Sequence, residues 1–140
     1  GSPPGARRDL PPAAQQADIV SCATLATEPV VKGEWLQPGS HLDLIGSFTP
    51  QMREADDACF AGARLYVDTG EALDKSGDLL GPMSRGVFAR KDACGTLQDL
   101  CRGRVPGRRD ARERTVFKSV GTALEDLAAT TLVYEGSGQA

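Results

Sequence analysis

The chain of 140 residues is short of most features that announce a function by themselves. It has one histidine, His41, and four cysteines, Cys22, Cys59, Cys94 and Cys101, with no C-x-x-C pair among them. Those spacings exclude the usual structural zinc sites, so no metal is expected. Free, mostly buried thiols are the expected state of the cysteines. Lysine plus arginine total 16 against 19 acidic residues, a net charge of −3. No basic excess is present to attract nucleic acid, and none is expected as a partner. No apolar run reaches the roughly 18 residues of a membrane span, and no charged-then-apolar stretch opens the chain. A cytoplasmic protein without membrane contact is the expectation. Aromatics make up 5%, and Trp35 is the only tryptophan. A G-x-G-x-x-G turn after a first strand is missing, as is an acidic residue placed to read a ribose.

Apolar residues are 40% and charged residues 25%, enough for one modest domain with a core. Residues 1–10 read as loop, and Gly1-Ser2 reads either as a tag-cleavage scar or as the opening of a piece of something longer. Asp9 is placed to cap a short helix carrying Pro11, Pro12, Ala13, Ala14 and Ala17. Asp18–Ala23 is continuously apolar, as suits a strand buried on both faces. Thr24–Pro29 is its C-terminal loop. Val30–Gln37 is a short amphipathic turn with Trp35 as a packing anchor. His41–Gly46 is a second strand, with His41 a hydrogen-bonded strand-start residue. Thr49-Pro50 signals a cap and a helix running to Ala63. On it Arg53, Glu54, Asp56 and Asp57 form a solvated polar face. Leu65–Asp68 is a third strand. Glu71–Lys75 makes one helical turn before Ser76-Gly77-Asp78. Thr96–Arg102 is a short helix, and the six arginines between Arg102 and Arg114 lie in a solvated loop with local acid pairs.

Thr115–Leu127 organises the rest. Thr115–Lys118 is a strand, Ser119-Val120-Gly121 a turn, and Thr122 with Glu125 a capping box opening a helix. Leu124, Leu127, Ala128 and Thr131 line one face of that helix. Its first backbone N–H groups are expected to point outward, where an α/β protein holds a ligand's polar groups. Residues 136–140 read as a loose tail. Strand, connection, strand, helix, strand, broken helices, strand, helix is the alternation of a parallel α/β sheet. With three or four strands and few full helices, at least one face of that sheet is expected to be poorly covered.

Several stretches, in order, resemble one known family. They are A-T-L-A-T-E-P-V at 23–30, G-E-W-L-Q-P-G-S-H-L-D-L-I-G at 33–46 and P-Q-M-R-E-A-D at 50–56. L-Y-V-D at 65–68, S-G-D-L-L at 76–80 and T-V-F-K-S-V-G-T-A-L-E-D-L-A-A at 115–129 complete the set. From about Ala13 to Glu135 the chain resembles the ornithine cyclodeaminase/mu-crystallin family, and within it the Δ1-pyrroline-2-carboxylate and ketimine reductases.

The resemblance implies a partial Rossmann-like parallel sheet. Residues 1–17 would be a loop and short helix, 18–118 the C-terminal half of an NAD(P)-binding domain, and 119–140 a turn and helix returning to a substrate and dimerisation domain. It implies only the C-terminal portion of a longer protein, inactive or nearly so alone and a homodimer when full length. It implies NADPH or NADH as cofactor and a small cyclic imino acid as substrate. Thr24 and Leu25 match the loop along the cofactor. Ile45 matches the apolar residue beside the nicotinamide. Ser119 and Val120 match the turn closing over the nicotinamide end. No residue of this chain takes a catalytic role from the likeness.

Two positions depart from the family pattern. Phe48 stands where the cyclodeaminases have an acid/base aspartate, which disfavours amine elimination. Lys75 stands where many ketimine reductases have a glutamate before Ser-Gly-Asp. The expected activity is therefore NAD(P)H-dependent reduction of a cyclic ketimine such as Δ1-pyrroline-2-carboxylate to proline. The alternatives are a non-enzymic, mu-crystallin-like binder of NADPH or another small ligand, and an ornithine cyclodeaminase.

Overall fold

A computed structural model describes residues 9–137. Among them five strands form one all-parallel sheet: β1 (Ile19–Cys22), β2 (His41–Leu44), β3 (Arg64–Val67), β4 (Gly95–Thr96) and β5 (Thr115–Lys118). Their order across the sheet is β1-β2-β5-β3-β4. The sequence anticipates four of them. The fifth, β4, has two residues, too short for any periodicity to show. The last strand in the chain lies in the middle of the sheet, which explains its burial on both sides. Thr115 is 7% exposed and Val116, on the opposite face, 1%.

The helices are α1 (Leu10–Gln15), α2 (Asp57–Phe60), α3 (Ala72–Lys75), α4 (Gly77–Ser84), α5 (Leu97–Cys101) and α6 (Ala123–Ser137). The proline pair starts α1 as expected, but the Asp9 side chain makes no capping bond. The core joins Leu42 and Leu44 of β2, Leu65 and Val67 of β3, Val116 of β5, Leu73 of α3 and Leu79 of α4. Each fully buried leucine contributes about 2 kcal/mol from leaving water. Cover is uneven, as anticipated. Ile19 on the edge strand is 66% exposed, while Leu124 and Leu127 of α6 are 76% and 63% exposed.

The expected helix from Thr49 to Ala63 is not there; only Asp57–Phe60 is helical. After a single local turn from Thr49 to Met52, the backbone of the preceding residues bonds to other segments. Arg53 N–H donates to the Ala26 carbonyl, the Glu54 carbonyl accepts from Val30 and Val31, and Asp56 N–H reaches the Val31 carbonyl. Val31 and Ala55 thereby form an isolated parallel bridge. Nor is the polar cluster a solvated face throughout, because Glu54 is 0% exposed. The cysteines are also less uniform than expected: Cys22 and Cys59 are buried, Cys94 is half-buried and Cys101 exposed. Burial, with Glu54, Asp78 and Asp43 nearby, pushes the Cys22 thiol up to about 11, so it is inert at neutral pH.

The arginine loop behaves partly as expected, with Arg109 paired to Glu113 at 2.5 Å. Two of its arginines also brace the fold. Arg114 donates to the Gly33, Ala58 and Ala61 carbonyls, and Arg108 to the Gly39 carbonyl. At the other end, α6 continues through Gly136 to Ser137, so the start of the supposed tail is helical. The loop read over residues 1–8, and the tail at 138–140, lie outside the described residues.

His41 sits at the start of β2 with Nδ1 2.7 Å from the Thr115 hydroxyl. Burial lowers its pKa from 6.5; Asp43 opposes the shift and Arg108 adds to it. The unfolded chain then takes up this proton at higher pH than the folded one. Stability from this group is complete above pH 6.5 and is lost as pH falls from 6.5 toward the lowered folded value. Urea denaturation across that window should show the decline, and His41→Asn should remove that component.

Candidate functional site

In a parallel sheet all strands end on the same edge, and ligands bind there. The register makes the ends coincide: Cys22 pairs with Leu44, Leu44 with Lys118, and Lys118 with Val67. The ladder continues one step beyond the strands. Ile45 N–H donates to the Cys22 carbonyl at 2.8 Å, Ser119 N–H to the Leu44 carbonyl at 3.0 Å, and Asp68 N–H to the Lys118 carbonyl at 3.1 Å. Thr24–Leu25, Ile45–Gly46, Ser119–Val120 and Asp68–Thr69 are thus gathered on one edge. The five residues that the resemblance marks for the cofactor belong to three neighbouring segments of it.

Their environments differ. Leu25 is 72% and Ile45 41% exposed, apolar side chains standing out from a fixed backbone. Phe48, a few residues beyond the end of β2, is 45% exposed. Gly46 is needed where it stands, because a Cβ there would overlap the Thr24 carbonyl oxygen and the Glu54 carboxylate. Lys75 lies on the surface, 2.6 Å from Glu71, and that contact raises its pKa.

The turn departs from expectation. Its N–H groups do not point outward unpaired. Val120 and Gly121 N–H both donate to Asp68 Oδ2 at 2.8 Å, and the Ser119 hydroxyl donates to the same oxygen at 3.0 Å. The capping box forms as read, with Glu125 N–H on the Thr122 hydroxyl and Thr122 N–H on the Glu125 carboxylate. Asp68 thus consumes the donors of the turn that precedes the Thr122 cap. Among the described residues no donor reaches the Ser119 or Val120 carbonyl oxygens. The turn therefore keeps two acceptors unclaimed.

Beneath the edge lies a buried charged cluster that the sequence reading missed. Glu54, Asp78 and Lys118 are each 0% exposed. Glu54 Oε1 accepts from Thr24 N–H at 2.5 Å and its Oε2 from Gly46 N–H at 2.8 Å. Asp78 Oδ1 accepts from the N–H groups of Glu54 and Ala55 at 2.8 and 3.0 Å. Asp78 Oδ2 lies 3.7 Å from Lys118 Nζ, and neither atom has a hydrogen-bond partner. Burial raises the Asp78 pKa and lowers that of Lys118. Ser47 and Ser76 join α4 to β2's end, the Ser76 hydroxyl donating to the Ser47 carbonyl at 2.7 Å. Gly77 lets α4 start directly against the Pro50 and Met52 carbonyls. One signal did exist. A lysine ending an apolar strand in mid-sheet, and an aspartate at a helix start, are charges that need partners.

A family model described as ornithine cyclodeaminase/mu-crystallin family matches residues 6–139. The chain belongs to that family. Protein SAR DEFICIENT 4 of Arabidopsis thaliana is 48% identical over 118 residues, covering 84% of this chain and 36% of that protein. Delta(1)-pyrroline-2-carboxylate reductase of Paracoccus denitrificans is 46% identical over 126 residues, covering 89% and 40%. The structure of Thermococcus litoralis Delta(1)-pyrroline-2-carboxylate reductase, in complex with NADH and L-proline, superposes with a TM-score of 0.86 at 37% identity, covering 93% of this chain and 41% of that one. This member of the ornithine cyclodeaminase/mu-crystallin family thus spans about 40% of the length of the relatives it matches. Among its described residues no helix is long and apolar enough to cross a membrane, and no group of three histidine, cysteine or acidic residues could hold a metal ion.

Asp68 is 4% exposed and holds three donors of the turn. Asp68→Ala should leave the half-buried Val120 N–H without an acceptor and Gly121 N–H with only the Ser119 hydroxyl, at the cost of local order. A loss of about 2 kcal/mol in urea denaturation is expected, with faster amide exchange at Val120 and Gly121.

Proposed function

We propose that these residues form the nicotinamide side of an NAD(P)H-dependent reductase acting on a cyclic ketimine such as Δ1-pyrroline-2-carboxylate. The observation that carries the reading is the convergence of Thr24–Leu25, Ile45 and Ser119–Val120 on the C-terminal edge of the parallel sheet. The edge fits the proposed group: apolar Leu25 and Ile45 suit a flat ring, and the unclaimed Ser119 and Val120 carbonyls suit a carboxamide NH2. A bound nicotinamide supplies the hydride, either as NADH or NADPH. The chain's own residues hold the ring's face toward the open side of the edge and keep the ring against an apolar wall. Residues 18–118 then belong to the cofactor domain, and 119–140 lead to a substrate and dimer domain of a cytoplasmic homodimer.

Phe48 supports reduction over elimination. A phenyl ring at the β2 end moves no proton, whereas amine elimination requires an acid/base there. Reduction of an existing C=N needs only hydride delivery, a cation for the substrate carboxylate and a proton for the nitrogen. The cation of the family lies in a region this chain does not match. Lys75, where a glutamate is usual, favours a second reading as a non-enzymic, mu-crystallin-like binder of NADPH or a small ligand.

The test is NADH and NADPH fluorescence titration with a turnover assay on Δ1-pyrroline-2-carboxylate. The 140-residue chain should bind weakly and turn over nothing. Joined behind the upstream residues of the Thermococcus litoralis reductase, it should reduce the imine. Cofactor binding by that chimera without turnover would support the binding reading, and ammonia release from ornithine would overturn the argument from Phe48.

A further inference from the structure

Thr24 and Gly46 follow adjacent strands, yet their N–H groups do not pair across the gap. Each donates to a different oxygen of one side chain, Glu54. The distance between the two strand ends is therefore set by the span of a single carboxylate. Glu54 is itself immobilised. Its N–H is held by Asp78 Oδ1 at 2.8 Å, and its carbonyl accepts from Val30 and Val31 at 2.9 and 3.0 Å. Asp78 faces Lys118, the residue immediately before Ser119–Val120. One buried set of contacts thus reaches all three segments assigned to the cofactor.

We propose that Glu54 is a positioning residue: its carboxylate fixes the spacing of the Thr24–Leu25 and Ile45–Gly46 segments so that their exposed apolar side chains meet the nicotinamide ring together. This rests on the reading given under Proposed function. A brace for the fold alone does not need this placement. Elsewhere on the same edge, backbone N–H groups of Ile45, Ser119 and Asp68 simply extend the ladder. Between Thr24 and Gly46 a buried acid instead spans the ends of two adjacent strands with its two oxygens, and Gly46 has no room for a side chain that would spoil the fit. The substitution chemistry is specific. Glutamine offers one acceptor and turns an NH2 group toward the second N–H. Aspartate is one methylene shorter and cannot reach both donors from the same backbone position.

The test uses the 140-residue chain. Amide hydrogen exchange by NMR should show Thr24 and Gly46 exchanging roughly a hundredfold slower than the neighbouring Leu25 amide. Glu54→Gln should abolish that protection and weaken NADH binding, followed by chemical-shift titration, about tenfold. Leu65→Ala serves as the comparison, a cavity at the other end of the sheet that lowers stability without touching the clamp. It should leave both protection and NADH affinity near wild type. Fast exchange at Thr24 and Gly46 in the wild type overturns the proposal, and this holds even if Glu54→Gln fails to fold. Equal loss of NADH affinity in Leu65→Ala also overturns it. Protected amides with no response to NADH, in the 140-residue chain and equally in the chimera joined behind the upstream Thermococcus litoralis residues, overturn the cofactor reading and, with it, the positioning role, leaving the clamp as a feature of the fold.

Discussion

Two carboxylates and an ammonium group taken wholly out of water require donors and acceptors that cannot be left to chance. Burying such groups costs several kcal/mol each unless the geometry compensates. Here the compensation comes from the backbone. Glu54 and Asp78 together accept four N–H groups from Thr24, Gly46, Glu54 and Ala55. These are groups that no strand or helix satisfies, because each lies just past an element or in a loop. The chain between β2 and α2 can therefore run without regular structure and still be fixed. The edge of the sheet inherits that rigidity.

The pair formed by Asp78 and Lys118 is of a different kind. At 3.7 Å with no hydrogen bond, it is a weak match for two buried charges, and burial moves both pKa values toward the neutral forms. Its contribution to stability is accordingly small next to the leucine core. What it supplies is register. Lys118 ends β5, Asp78 begins α4, and their contact ties the central strand to the helix that carries the Ser76–Ser47 bond. Asp68 does the same at the next strand by gathering the turn after β5.

The sequence shows the strands because parallel strands read as short apolar runs, as at Arg64–Val67, which is largely buried; Ile19–Cys22 reads the same way but, as an edge strand, buries only Cys22 and not both faces as expected. It shows the capping box at Thr122 because that motif is local. It misleads at Thr49–Ala63, where helix-like spacing competes with backbone bonds to Ala26, Val30 and Val31 that are distant in sequence. The same non-locality hides the site's underpinning. Glu54 reads as one more acid in a polar cluster, and only the fold brings it under Thr24 and Gly46. Asp68 ends a strand in an ordinary way and only the fold sets it against a turn about fifty residues on. The resemblance names the exposed ends of these strands but not what holds them.

The consumption of donors at the edge bears on what the edge can hold. A helix N-terminus with free N–H groups is an anion site. In the turn just before α6 the Val120 and Gly121 N–H groups are already taken by Asp68, and the acidic Glu54 takes the N–H groups at the neighbouring strand ends. A phosphate or carboxylate placed here would meet two buried acids and no available backbone donor from Val120 or Gly121. A neutral, flat, amide-bearing ring meets apolar side chains and open carbonyl oxygens instead. This is the electrostatic ground for proposing that the edge takes the uncharged end of a dinucleotide rather than its phosphates. The chemistry of holding a nicotinamide and that of holding a pyrophosphate do not compete for the same backbone groups.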